Sequence, residues 1–194
     1  MATYKSIRYN TLLSNGSSQV LLQKITASSD STISFTSGID STYKEYLFIY
    51  VNLHPSADNK TFLFNLSADS GSNYNVTKTT THFRAIHGEG GSPATVNYNA
   101  GDDLAQGTDF QNLYGGSGGD NDQCICGEFH LFNPSDTTFV KHFIANNQTY
   151  FGGDYSINSF VAGYCNVTAA IDAVQFKFTS ANADSGRIAL YGIK

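Results

Sequence analysis

Apolar side chains recur at every second position through most of this chain, in short runs divided by Ser, Asn, Gly and Asp. That period predicts half-buried β-strands. Runs at 20–27 and 31–37 flank Ser28-Ser29-Asp30, which predicts a hairpin. The dense run Tyr46-Leu-Phe-Ile-Tyr-Val-Asn-Leu53 predicts a central strand. The stretch 60–66, reached through the turn residues of 54–59, predicts its neighbour. A long strand is expected over 74–86, then an irregular insertion around 88–122. Its glycine clusters at 88–91 and 115–119 predict loops, and 104–114 a short helix or edge strand. Alternation returns at 124–132, 138–144 and 157–167. Two closing strands follow, one holding Ile171, Val174, Phe176 and Phe178 and the other Ile188, Leu190 and Ile193, joined by the polar run 179–186.

The sum is about nine or ten strands without an internal repeat, which suits a two-sheet antiparallel β-sandwich and disfavours a propeller or solenoid. The expected core contains Leu47, Ile49, Phe62, Phe64, Phe129, Leu131, Val161, Phe176, Phe178 and Leu190. Residues 1–18 are polar with isolated apolar positions, Tyr4, Ile7, Tyr9, Leu12 and Leu13, and predict an extended N-terminal arm. The expected organisation is that arm followed by one domain over 19–194. Because the pattern closes on a strand, no C-terminal tail, anchor or second domain is expected.

Composition narrows the function. Charged residues make up only 14% of the 194, against about 25% in a typical soluble protein, so hydroxyls and amides carry the surface. Such a surface suits a durable shell protein. The net charge of −5, with 11 Lys and Arg scattered singly, opposes nucleic-acid binding, which needs a basic stripe. No apolar run is long enough for a membrane-spanning helix, and the first residues lack the apolar core of a signal peptide. The protein is therefore expected to stay in a cytosol, or to be released from one by lysis.

Candidate chemistry is sparse. His82 and His87 have a spacing that sends them to opposite faces of a strand, and His54, His130 and His142 stand apart. Asp120-Asn121-Asp122 opens like a calcium loop but lacks the downstream glycine and glutamate. Asp102-Asp103 reads as a solvated loop. Cys124, Cys126 and Cys165 are an odd number without a secretion signal, so free thiols are expected, with Cys124 and Cys126 on one face of a strand. No Gly-x-Ser-x-Gly elbow or phosphate-binding loop occurs. The expectation is a non-enzymatic protein with no catalytic residue, metal or cofactor.

The ending Ser185-Gly-Arg-Ile-Ala-Leu-Tyr-Gly-Ile193, the segment Ala68-Asp-Ser-Gly-Ser-Asn-Tyr74 and the opening Met1-Ala-Thr-Tyr-Lys5 resemble segments of jelly-roll structural proteins from tailed bacteriophages, especially marine and cyanobacterial ones. None of these motifs is catalytic. The resemblance implies a jelly roll and a virion component present in many copies. It points first to a capsid decoration or cement protein that forms a homotrimer and clamps the major capsid protein, or other virion proteins, partly through Tyr4, Ile7, Tyr9, Leu12 and Leu13. The alternative is a tail fibre or receptor-binding protein. Tyr98, Phe110, Tyr114 and Tyr155, in glycine-rich loops, would then present ring faces to a host glycan.

Overall fold

Two antiparallel layers face one another across a band of aromatic rings. The computed structural model describes residues 18–194, so the expected arm and its apolar positions Tyr4, Ile7, Tyr9, Leu12 and Leu13 lie outside the described residues. The described strands are β1 (Gln19–Thr26), β2 (Ile33–Phe35), β3 (Glu45–Pro55), β4 (Lys60–Ser67), β5 (Lys78–Gly88) and β6 (Ala94–Tyr98). After them come β7 (Gln111–Ser117), β8 (Ile125–Phe132), β9 (Lys141–Phe151), β10 (Tyr155–Cys165), β11 (Ala173–Phe178) and β12 (Ala183–Ile193).

The larger layer has the order β6-β5-β10-β9-β8-β3-β12-β1, and the smaller β7-β4-β11-β2. A single bridge, Ser117 to Phe151, joins them at one corner. Along the chain, β2, β4, β7 and β11 enter the small layer, and the segments between them return to the large one. That back-and-forth wrapping is jelly-roll-like, with β8, β9 and β10 forming a meander inside the large layer. The expected all-β, two-sheet antiparallel sandwich is what the chain forms.

Rings from the two layers hold them together. Phe35 of β2 meets Phe48 of β3 at 5.2 Å between centroids, and Tyr50 of β3 meets Phe62 of β4 at 5.2 Å. Phe176 of β11 packs against Phe48 at 5.5 Å and Phe129 of β8 at 6.0 Å. Such tilted and edge-on pairs each add about 0.5–1.5 kcal/mol beyond simple burial.

Nine of the ten expected core residues are buried; Ile49 is only half-buried. In β3 the central core takes Tyr46, Phe48 and Tyr50, while Leu47 is buried but lies outside that cluster. The run 46–51 is apolar in both phases, so alternation could not choose between them. The inward tyrosines keep their hydroxyls satisfied: Tyr46 donates to the Asp40 carbonyl at 2.9 Å and Tyr50 to Asn147 Oδ1.

Several pairings depart from expectation. β1 and β2 form no hairpin; β1 pairs with β12 and β2 with β11, in different layers. β4 is not the neighbour of β3 but faces it, pairing with β7 and β11. The long strand begins at Lys78, four residues later than expected, and the insertion is more regular than its composition implies. It supplies β6 and also β7, which runs through Gly115 and Gly116. Gly116 has φ of 93°, and a Cβ there would lie 2.2 Å from the Phe151 ring, so the corner between layers requires glycine.

Both described segments that carry the phage resemblance do structural work. In 68–74, Asp69 accepts from Ser67 Oγ at 2.7 Å, from the Asn73 backbone N–H at 2.8 Å and from its side-chain amide at 2.7 Å. These bonds hold its carboxyl below the usual carboxylate range, the Asn73 amide contributing most. In the closing segment, Gly186 has φ of 96° and presses on the Asn52 carbonyl, where a Cβ would lie at 2.2 Å.

A buried polar row flanks the aromatic core. Lys78, Cys165 and Lys141 are cross-strand partners on β5, β10 and β9, and all are buried. Lys78 Nζ donates to Asn65 Oδ1 at 2.6 Å and the Val76 carbonyl at 2.7 Å. Burial depresses the Lys78 ammonium to about 8 and pushes the Cys165 thiol up to about 12, although their proximity works against both shifts.

Candidate functional site

The most structured concavity is built around a bulge. β3 shifts register against β8 between Tyr50 and Leu53, and β12 shifts against β3 on either side of Ser185. The irregularity puts Asn52 in the left-handed region, φ 53°, opposite β8. There its backbone N–H donates to Cys126 Sγ at 3.3 Å. The Cys126 and Cys124 thiols in turn approach Asn52 Oδ1 at 3.5 and 3.8 Å. Ile125 between them points into the core, so both sulfurs lie on the outer face, as the spacing predicts. Burial, reinforced by the Cys126 thiol beside it, raises the Cys124 thiol above its ordinary range.

Two clefts meet at Cys124. One, of about 390 Å³, is lined by His87, Glu89, Cys124, Cys126, Gln148 and Tyr155 from four different strands or their ends. Gln148 donates to Ser156 Oγ at 2.9 Å, and the Tyr155 ring stacks on Phe151 at 5.6 Å and 9°. At the rim, Tyr150 donates to Asp154 at 3.1 Å, which pushes its hydroxyl up to about 12. The other cleft, of about 340 Å³, includes Asn52, His54, Asp122, Cys124 and Ser185. Asp120 heads the turn beside it, its carbonyl 3.1 Å from His54 Nε2 and accepting the Gln123 N–H at 2.9 Å.

The four aromatics expected to face a ligand do not form one site. Tyr98 is exposed on edge strand β6 and bonds to Asp103. Phe110 is half-buried with Lys177 Nζ 3.9 Å from its ring centroid. Tyr155 alone lines the cleft. Tyr114 is no loop residue. It lies fully buried in β7, where desolvation pushes its hydroxyl well above the ordinary tyrosine range.

His82 points into the interior and His87 outward, as their spacing predicts. Asp102 is more structural than a solvated loop implies, accepting from Asn112 Nδ2 at 2.7 Å and from the Asn99 amide. Two of the three glutamates converge on one imidazole: His130 Nδ1 lies 2.6 Å from Glu45 and Nε2 3.7 Å from Glu128. Glu45 and His130 come from β3 and β8, so sequence spacing could not reveal the group. Among the described residues, no group of three or more His, Cys, Asp or Glu could hold a metal ion. All three cysteines are free. The Cys-x-Cys spacing and the loop aromatic Tyr155 were the sequence signals for the cleft; Asn52, Gln148 and Glu89 gave none.

No family model matches this chain, and no curated protein matches it. Among solved structures, it is similar over 55% of its length to 46% of a structural-genomics protein of unknown function from Bacteroides ovatus, at 4% identity and a TM-score of 0.30. An exo-inulinase from Aspergillus awamori aligns at 12% identity and TM-score 0.21, over 90% of this chain and 29% of that one. The infectious bursal disease virus VP2 subviral particle aligns at 12% and 0.17, over 91% and 41%. The chain thus spans less than half the length of each.

Proposed function

We propose that this chain is a non-enzymatic structural protein of a tailed-phage virion, a capsid decoration or cement protein assembled onto the head in the host cytoplasm. The sequence resemblance motivates the setting, and both described segments that carry it serve the sandwich itself. The structural observation that best supports an assembly role is β6. All its residues are exposed, among the described residues it pairs only with β5, and Val96 (74% exposed) and Tyr98 (53%) stand beside Phe83 (44%). An open edge with apolar side chains is a ready template for another chain. A homotrimer closed through such edges, docked on the major capsid protein partly by residues 1–18, is the arrangement we favour.

Reconstitution tests the reading. Purified protein added to particles lacking it should bind saturably at many sites and raise their resistance to heat or osmotic shock; absence of saturable binding contradicts it. One observation favours a second reading, a tail fibre or receptor-binding protein: the 390 Å³ cleft offers an aromatic ring, an amide and a carboxylate to a host glycan. Glycan-array binding abolished by Tyr155→Ala, with no affinity for heads, would decide for it.

A further inference from the structure

The feature that neither reading uses is the pair of thiols on the wall of the 390 Å³ cleft. We infer that Cys124 and Cys126 form a two-coordinate site for a soft monovalent cation, Cu(I). The inference is independent of the virion proposal.

Three observations carry it. First, the two sulfurs converge on a single atom, Asn52 Oδ1, at 3.8 and 3.5 Å, with both side chains only half-buried and lining the 390 Å³ cleft, Cys124 bordering the second cleft as well. Second, the Asn52 backbone N–H already points at Cys126 Sγ at 3.3 Å. A donor aimed at sulfur stabilises thiolate charge, as outer-shell hydrogen bonds do around metal-bound thiolates. That donor exists because the β3 bulge holds Asn52 at φ 53° and Gly186 packs behind its carbonyl. Third, spacing favours a bridging ion over a disulfide. Alternate residues of a strand are roughly 6.6 Å apart. That is near the wide limit of about 6.8 Å for a disulfide, whose sulfurs must approach to about 2.05 Å. Two metal–thiolate bonds of about 2.3 Å in line span about 4.6 Å and need less bending of the strand.

The donor set selects the ion. Two thiolates without a third protein ligand suit a soft cation that accepts linear coordination, whereas zinc takes four ligands. Binding is a balanced exchange: Cu(I) replaces two thiol protons, both are released, and the product carries one net negative charge beside the Asn52 N–H.

The test is anaerobic titration of the full chain with Cu(I) against a chromogenic Cu(I) chelator. One Cu(I) per chain is expected, with affinity at least tenfold weaker in Cys124→Ser and in Cys126→Ser, and unchanged in Cys165→Ala. X-ray absorption on the wild-type protein, which depends on no variant folding, should find two sulfur neighbours. Nitrogen or oxygen neighbours, affinity unchanged in both serine variants, or preferential uptake of Zn(II) would each overturn the site. So would a fully reduced preparation that gains a Cys124–Cys126 disulfide on mild oxidation and takes up no Cu(I).

Discussion

The rings of Phe64 on β4 and Phe129 on β8 meet across the sandwich at 4.6 Å between centroids and an interplanar angle of 52°. Both side chains are fully buried, and Phe143 of β9 closes the cluster at 5.1 Å from Phe64. Because β4 and β8 belong to different layers, this contact reports whether the layers are docked. Phe64→Ala should destabilise the fold by about 3–5 kcal/mol, as should Phe176→Ala, whose ring touches five others. Denaturant unfolding followed by far-UV circular dichroism measures both. A near-neutral result for either would remove the core described above.

Lys78 gives the fold a pH signature. Burial lowers its ammonium from the ordinary 10.5 to about 8, while Cys165 and Asp109 favour the charged form. Between those values the unfolded chain binds the proton and the folded chain does not, so the cost of burying the charge is present below pH 8 and relieved as pH rises toward 10.5. The raised Cys165 and tyrosine groups act oppositely over the same range, so the comparison must be differential. Relative to Lys78→Met, the wild type should gain about 3 kcal/mol from pH 8 to 10.5. A stability difference that stays flat over this window would show that Lys78 is not buried as a free ammonium.

Much of the strand content was legible, because period-two alternation directly encodes a face toward the core. Pairing was not, because alternation says which face is buried and nothing about the partner. The short polar link 28–30 therefore read as a hairpin, whereas β1 and β2 go to opposite layers. Phase failed at 46–51, where every position is apolar enough for either face. Glycine misled at Gly115 and Gly116, where the residues serve a strand corner against Phe151 and not a loop. For the cleft, Cys124-Ile125-Cys126 and Tyr155 gave local notice. Its other walls come from β5, β9 and β10, brought together by a register that no spacing encodes.

Gly186 links the closing motif to the thiol wall. Gly186→Ala forces a Cβ into the Asn52 carbonyl at a positive φ, and should cost about 1–3 kcal/mol in strain. By displacing Asn52 it should also speed modification of Cys124 and Cys126 by a thiol reagent. Unchanged stability and unchanged thiol kinetics together would contradict the bulge geometry.

Attachment should separate from folding. Deleting residues 2–13 removes Tyr4, Ile7, Tyr9, Leu12 and Leu13 but none of the described strands. Far-UV circular dichroism and thermal midpoint should stay close to wild type while affinity for particles falls. Val96→Lys, which places a charge on the exposed β6 edge, should reduce self-association in light scattering without altering the fold. Unaltered particle affinity after the deletion would remove the arm as an anchor, and unaltered self-association in Val96→Lys would remove β6 as the contact.

The most direct test of the virion proposal is the copy number of this chain per particle, by quantitative mass spectrometry of purified virions with the major capsid protein as internal standard. A decoration protein predicts copies on the scale of the capsid lattice, retained on isolated heads. A few copies confined to isolated tails, or none in the virion, would contradict it.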